Sequence, residues 1–117
     1  MAYDVKATKT YSYPSEKLID AVATVISSLG GKPSKKNNPA AGRLEANFNK
    51  KIKSEYMNNR CQLEVKVVAQ SPEQSTLSAE AYPVDPIGGK LMFGVIGKPA
   101  RLVIDTFFAE LEGHLNR

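Results

Sequence analysis

Apolar and polar residues alternate from the start of the chain. Tyr3, Val5, Ala7, Lys9, Tyr11 and Tyr13 fall on one side, and Asp4, Lys6, Thr8, Thr10 and Ser12 on the other. A period of two places successive side chains on opposite faces, so this segment is predicted to be a strand. Lys9 interrupts its apolar face. The period then lengthens: Leu18, Ile19, Val22, Val25, Ile26 and Leu29 recur at helical spacing and predict a helix with one buried stripe. Pro14 suits its first turn, where an N–H would have no partner. Glu16 suits the positive end of the helix dipole. Gly30-Gly31 ends the helix, because glycine takes up the left-handed conformation of a cap.

Alternation returns after the glycines. Residues 32–37 are a polar edge-strand candidate, and residues 37–42 a turn. Residues 43–52 predict a strand with Leu44, Ala46, Phe48 and Ile52 on one face. Residues 60–69 do the same with Cys61, Leu63, Val65, Val67 and Ala69, and residues 75–84 with Leu77, Ala79 and Ala81. The connections 53–59 and 70–74 are polar and of hairpin length, which predicts an antiparallel meander. A last apolar pattern (Ala100, Val103, Ile104, Phe107, Phe108, Leu111, Leu115) predicts a long helix from Pro99. The predicted class is α+β, a curved antiparallel sheet of five or six strands with two helices on one face. The order is β-α-β-β-β-β-(β)-α, and residues 1–117 are read as a single domain.

That order of elements resembles the helix-grip architecture of the START and birch-pollen-allergen superfamily, or a smaller helix-grip relative. The resemblance covers most of the chain as an order of elements, not as a motif. It implies a sheet curled around a long C-terminal helix, and many such domains hold a lipid, steroid or polyketide-like ligand between the two. Only one helix separates the first two strands here, where the larger members have two. A plain sheet with two helices, similar to the TATA-box-binding-protein fold, fits the same order.

Composition narrows the function classes. Of 117 residues, 42% are apolar and 24% charged, which suits one packed core and not a disordered chain. No apolar run approaches the roughly 18 residues of a membrane span, so the chain is expected not to be transmembrane. The lone Cys61 permits no internal disulfide and no thiolate cage. A cytoplasmic location, with no metal and no cofactor, is the expectation. The net charge of +4 is uneven: residues 32–53 carry +6 and the rest −2. Such asymmetry attracts polyanions, while its plainer meaning is a lysine-rich edge that resists aggregation.

No motif identifies a reaction. Glu110 and His114 are spaced to meet on one helical face, but at the chain end they read as an ordinary surface pair. Cys61 shares a face with Leu63 and Val65, as a small buried apolar residue does. Asp85, before a proline, reads as a turn former. The stretch Gly94–Pro99 lacks the first glycine and the Ser/Thr of a phosphate loop. Lys98 and Arg101 at a helix start, with Lys50 and Lys51, are candidate anion ligands; the plainer alternative is an Arg101–Asp105 helical pair. Nucleic acid is disfavoured, since the basic stretch lacks several exposed stacking rings.

The sequence points away from an enzyme and towards a small domain that binds an apolar or amphipathic ligand between the sheet and the C-terminal helix. Candidate cavity or flap residues are Tyr11, Tyr13, Phe48, Ala79, Ala81, Leu91, Phe93, Val95, Phe107 and Leu111. The alternative is a module that binds a protein partner, a second copy or a membrane surface through the glycine-rich apolar loop 87–97. A third reading is anion or nucleic-acid binding through residues 32–53.

Overall fold

The period-two segments pair into one antiparallel sheet. The computed structural model describes residues 4–57, 59–85, 87, 89–91 and 98–116. Its elements are β1 (Val5–Tyr11), α1 (Ser15–Ser28), β2 (Lys32–Pro33), β3 (Arg43–Phe48), β4 (Lys51–Ile52), β5 (Glu55–Tyr56), β6 (Arg60–Ser71), β7 (Gln74–Val84) and α2 (Pro99–Leu115). A single 3-10 turn, Pro39–Ala41, lies between β2 and β3. The sheet order is β1-β7-β6-β3-β2, with every neighbouring pair antiparallel. The first strand therefore closes the meander from the far side. A register shift between Ala69 and Ser71 adds local twist to the curved sheet.

Both helices cover one face. α2 packs on β7, β1, β6 and α1, and α1 packs on β6, β3 and β7. Ala69 is exposed, near the far end of β6, but the other residues the alternation selected on these strands face the helices: Leu44, Ala46, Phe48, Cys61, Leu63, Val65, Val67, Leu77, Ala79 and Ala81 are all buried. They meet Leu18, Val22, Val25, Val103, Phe107 and Leu111 in one hydrophobic cluster. The Phe107 and Phe108 rings stand edge to face, 5.2 Å apart at 71°, the arrangement the ring quadrupoles favour.

Three local expectations are corrected. Residues 43–52 do not form one strand. The ladder stops at Phe48 because Lys50 takes a left-handed backbone, φ 59°, with its N–H bonded to the Phe48 carbonyl at 3.2 Å. Ile52 still reaches the core, but from the separate β4–β5 hairpin, whose turn contains Lys53, also at φ 59°. The polar connection 53–59 thus contains a strand. The edge strand expected over residues 32–37 shrinks to Lys32–Pro33, because the chain turns away after Ser34: the Ser34 N–H still donates to the Glu45 carbonyl at 2.9 Å, but the Asn37 N–H folds back on the Ser34 carbonyl at 3.0 Å. Pro14 stands one residue before α1, in extended geometry.

Candidate functional site

The seam between β1–β7 and α2 is built on small residues. Val5 pairs with Ala81 and Ala7 with Ala79, which brings two inward alanines of β7 beside a third on β1. Phe48, Phe107, Leu111 and Ala81 are wholly buried and Ala79 nearly so. These five sequence-selected residues belong to the packed core. Val5, Ala7 and Leu102 pack against the same core but remain half-buried.

At one end, polar groups fasten α2 to the sheet. Tyr11 Oη donates to Glu112 Oε2 at 2.9 Å, and Lys9 Nζ reaches the same oxygen at 2.9 Å. The Lys9 ammonium also lies 4.7 Å from the centroid of the Phe108 ring, which explains how a lysine is tolerated on the apolar side of β1. Tyr13 Oη donates to the Leu115 carbonyl at 3.0 Å, and Ser75 Oγ donates to the Tyr13 carbonyl at 2.9 Å. Lys9, then Tyr11, hold the Glu112 carboxyl below the ordinary glutamate range. Burial, then Glu112, push the Tyr11 phenol above its ordinary value. A depressed carboxyl stabilises the fold at neutral pH, and that contribution is lost as pH falls through its folded value. Acid melting is therefore expected to be less steep below about pH 4.5 in Glu112→Gln. Thermal melts of both proteins between neutral pH and pH 3 check this, and parallel curves would dismiss the clasp.

At the other end, β7 runs out beside Asp4. Asp85 Oδ1 accepts the Ile87 N–H at 3.0 Å and the Gly89 N–H at 2.8 Å, so it forms the turn its place before a proline suggests. Lys90 pairs with Asp4 at 2.5 Å and lies 5.0 Å from the centroid of the Tyr82 ring. Burial works against the Asp4 charge, but hydrogen bonds to Lys90 and Glu80 outweigh it and keep the carboxyl low. Leu91 is half-buried, its N–H bonded to the Pro83 carbonyl at 2.9 Å. Phe93 and Val95, with the strand or flap read into this loop, lie outside the described residues. Asp85→Ala should release the turn and cost about 0.5–2 kcal/mol, the range for losing a side-chain oxygen that caps backbone N–H groups. Hydrogen exchange at Ile87 and Gly89 checks it, and unchanged protection there would count against it.

The four candidate anion ligands lie in two separate places. Arg101 sits 3.8 Å from Asp105, both exposed, and Lys98 caps the same helix. Lys50 turns the chain into β4, and Lys51 lies 5.2 Å from the centroid of the Tyr56 ring. Their hairpin touches α2 through Lys53 and Glu110, 3.1 Å apart, and the helix rises roughly 13 Å from Arg101 to Glu110.

Cys61 is fully buried, and burial pushes its thiol up to about 12, far from a reactive thiolate. No group of three or more potential metal ligands occurs among the described residues. No helix among them is long and apolar enough to cross a membrane.

Sequence reasoning missed the outer face of the sheet. It carries a groove of about 380 Å³ bounded by Lys6, Lys36, Arg43, Lys66 and three glutamates, Glu45, Glu64 and Glu80. The only sequence signal was charge at every second position of successive strands, and register was needed to line those charges up.

No protein-family model and no curated protein matches the chain. Solved structures do. The di-domain ARO/CYC protein BexL from the BE-7585A biosynthetic pathway superposes with a TM-score of 0.57 at 12% identity, over 95% of this chain and 44% of that one. This chain thus spans less than half of BexL. Ara h 8.0201 superposes with a TM-score of 0.55 at 8% identity, over 97% of this chain and 98% of that one. A protein from Thermobifida fusca gives 0.54 at 10% identity, over 96% and 93%. The fold is a helix grip, a curved sheet holding a C-terminal helix. At these identities the likeness is one of fold alone.

Proposed function

We propose that this domain binds a small apolar or amphipathic ligand between β1–β7 and α2, without catalysing a reaction. One observation carries the reading. Val5, Ala7 and Leu102 join the core yet stay half-buried, so apolar surface at the seam remains for a ligand to cover. Ala79 and Ala81 keep the floor of the seam low, and Phe107 and Leu111 of α2 pack behind it, while Phe48 lies in the core on β3, away from the seam. Leu91 stands at the start of the proposed flap, and the phenols of Tyr11 and Tyr13 are the polar groups nearest a head group. The shared fold with an ARO/CYC protein of a biosynthetic pathway is in keeping with a small-molecule ligand.

The test is a thermal-shift titration with laurate, palmitate and a polycyclic phenol. At least one should raise the melting temperature in a concentration-dependent way, approaching about 2.7 kcal/mol of stabilisation at a hundredfold excess over Kd. Ala7→Phe should fill the seam and remove the shift. Absence of a shift with all three probes would overturn the reading.

A second reading rests on Ile87, which is 93% exposed at the tip of the Asp85 turn. A large apolar side chain placed there suits a partner protein, a second copy or a membrane surface. Ile87→Ser should weaken such association and leave the melting temperature unchanged.

A further inference from the structure

The helix-free face of the sheet carries charge in rows. Glu45 stands opposite Glu64, and Glu64 opposite Glu80, so three half-buried glutamates cross β3, β6 and β7 side by side; Lys6 of β1 ends the row opposite Glu80, which also hydrogen-bonds Asp4. The next row on the same face pairs Arg43 with Lys66, and Lys66 with Ser78, which stands opposite Thr8. Like charges directly opposite one another destabilise a sheet. The two rows are positioned to cancel diagonally, yet among the described residues no ion pair joins them; the salt bridges of the domain lie elsewhere. Glu64 instead accepts a hydrogen bond from Tyr82 Oη, and Ser78 Oγ one from Thr8 Oγ1 at 3.3 Å. Both rows open into the groove of about 380 Å³, with Lys36 at its rim. That volume lies within the usual range of small-molecule sites.

We propose that this groove is a second binding site, for a small amphoteric molecule. The anionic group of the ligand sits between Arg43 and Lys66, with the hydroxyls of Ser78 and Thr8 beside it. Its amine sits on the carboxylate row. Same-face rows are two residues apart along a strand, roughly 7 Å, so the two charges of the ligand must be separated by a short chain. A singly charged molecule relieves only one row and leaves the other as it was. The groove lies on the opposite side of the sheet from the proposed seam, so the two sites can be tested separately.

ε-Aminocaproate, caproate and hexylamine are the probes, titrated into isotope-labelled protein and followed by amide chemical shifts. ε-Aminocaproate should move amides of β1, β3, β6 and β7 around Thr8, Arg43, Lys66 and Ser78. Each half-molecule should bind at least about tenfold more weakly, the factor for losing 1.4 kcal/mol. Lys66→Gln and Glu80→Gln should each weaken ε-aminocaproate by a similar factor while the spectrum stays folded, and Arg43→Gln replaces either variant that fails to fold. Excess laurate should not compete. Equal binding of caproate or hexylamine, no shifts with any probe, or shifts unchanged in the variants would each overturn the proposal.

Discussion

Phe107→Ala is expected to lower the stability of the domain by about 3–5 kcal/mol, the usual range for emptying a buried phenylalanine site. Phe107 is wholly buried on α2 and touches Phe108 edge to face. Its site is surrounded by sheet and helices, which limits how far the neighbours can collapse into the space. A small domain is stable by only about 5–15 kcal/mol, so a large part of the total is at stake. Urea denaturation reads it as a lower midpoint at an unchanged slope. A loss below about 1 kcal/mol would mean that α2 is not the central core element.

Gly42→Val is the second large effect, and it acts through the backbone. Gly42 has φ 75°, and a Cβ there would lie 2.6 Å from the Val67 carbonyl oxygen. That oxygen belongs to a fixed ladder, since the Val67 N–H donates to the Gly42 carbonyl at 2.8 Å. A side chain cannot be relieved by a rotamer change. The left-handed backbone alone costs about 1–3 kcal/mol for a residue that disfavours it, and the collision adds to this. Gly30→Ala is the control: its φ is 92°, but nothing lies within 4 Å of the added carbon. Denaturation of both variants should show the larger loss at Gly42. Equal losses would leave backbone conformation as the whole cause.

The two proposed sites differ in how far they could be read from the chain. The buried face of the sheet, on which the seam is proposed, was legible because burial selects residue type. Leu63, Val65, Ala79 and Ala81 alternate with polar residues, and each lies inside. Lys9 was legible as an exception, but its partner Glu112 was not, because the two are far apart in sequence and meet only when α2 lies across β1. Tyr11 and Tyr13 were singled out as cavity or flap candidates; Glu112 and the Leu115 carbonyl became visible as their partners only in the folded chain. The break after Phe48 was hidden because alternation continues to Ile52, while the left-handed Lys50 carries none of the glycine that usually marks such a turn.

The outer groove was invisible for a related reason. Glu45, Glu64 and Glu80 are widely separated, and each alone is an ordinary solvated charge on a strand. Shifting one strand by a single residue would turn its charges to the other face. Register therefore decides whether three glutamates form a row.

By itself, the sequence determined the α+β class, the two helices, the inward face of each long strand and the turn at Asp85. Those follow from the period of the hydrophobic pattern and from local backbone chemistry. Tertiary structure alone decided that β1 closes the sheet beside β7, that Ile52 enters the core from its own hairpin, and that Glu112 clasps Lys9 and Tyr11. It also aligned the charges of the outer face into opposed rows. The difference is one of range. Periodicity records which side of an element is buried, whereas pairing, register and long-range contacts depend on how separate elements are brought together.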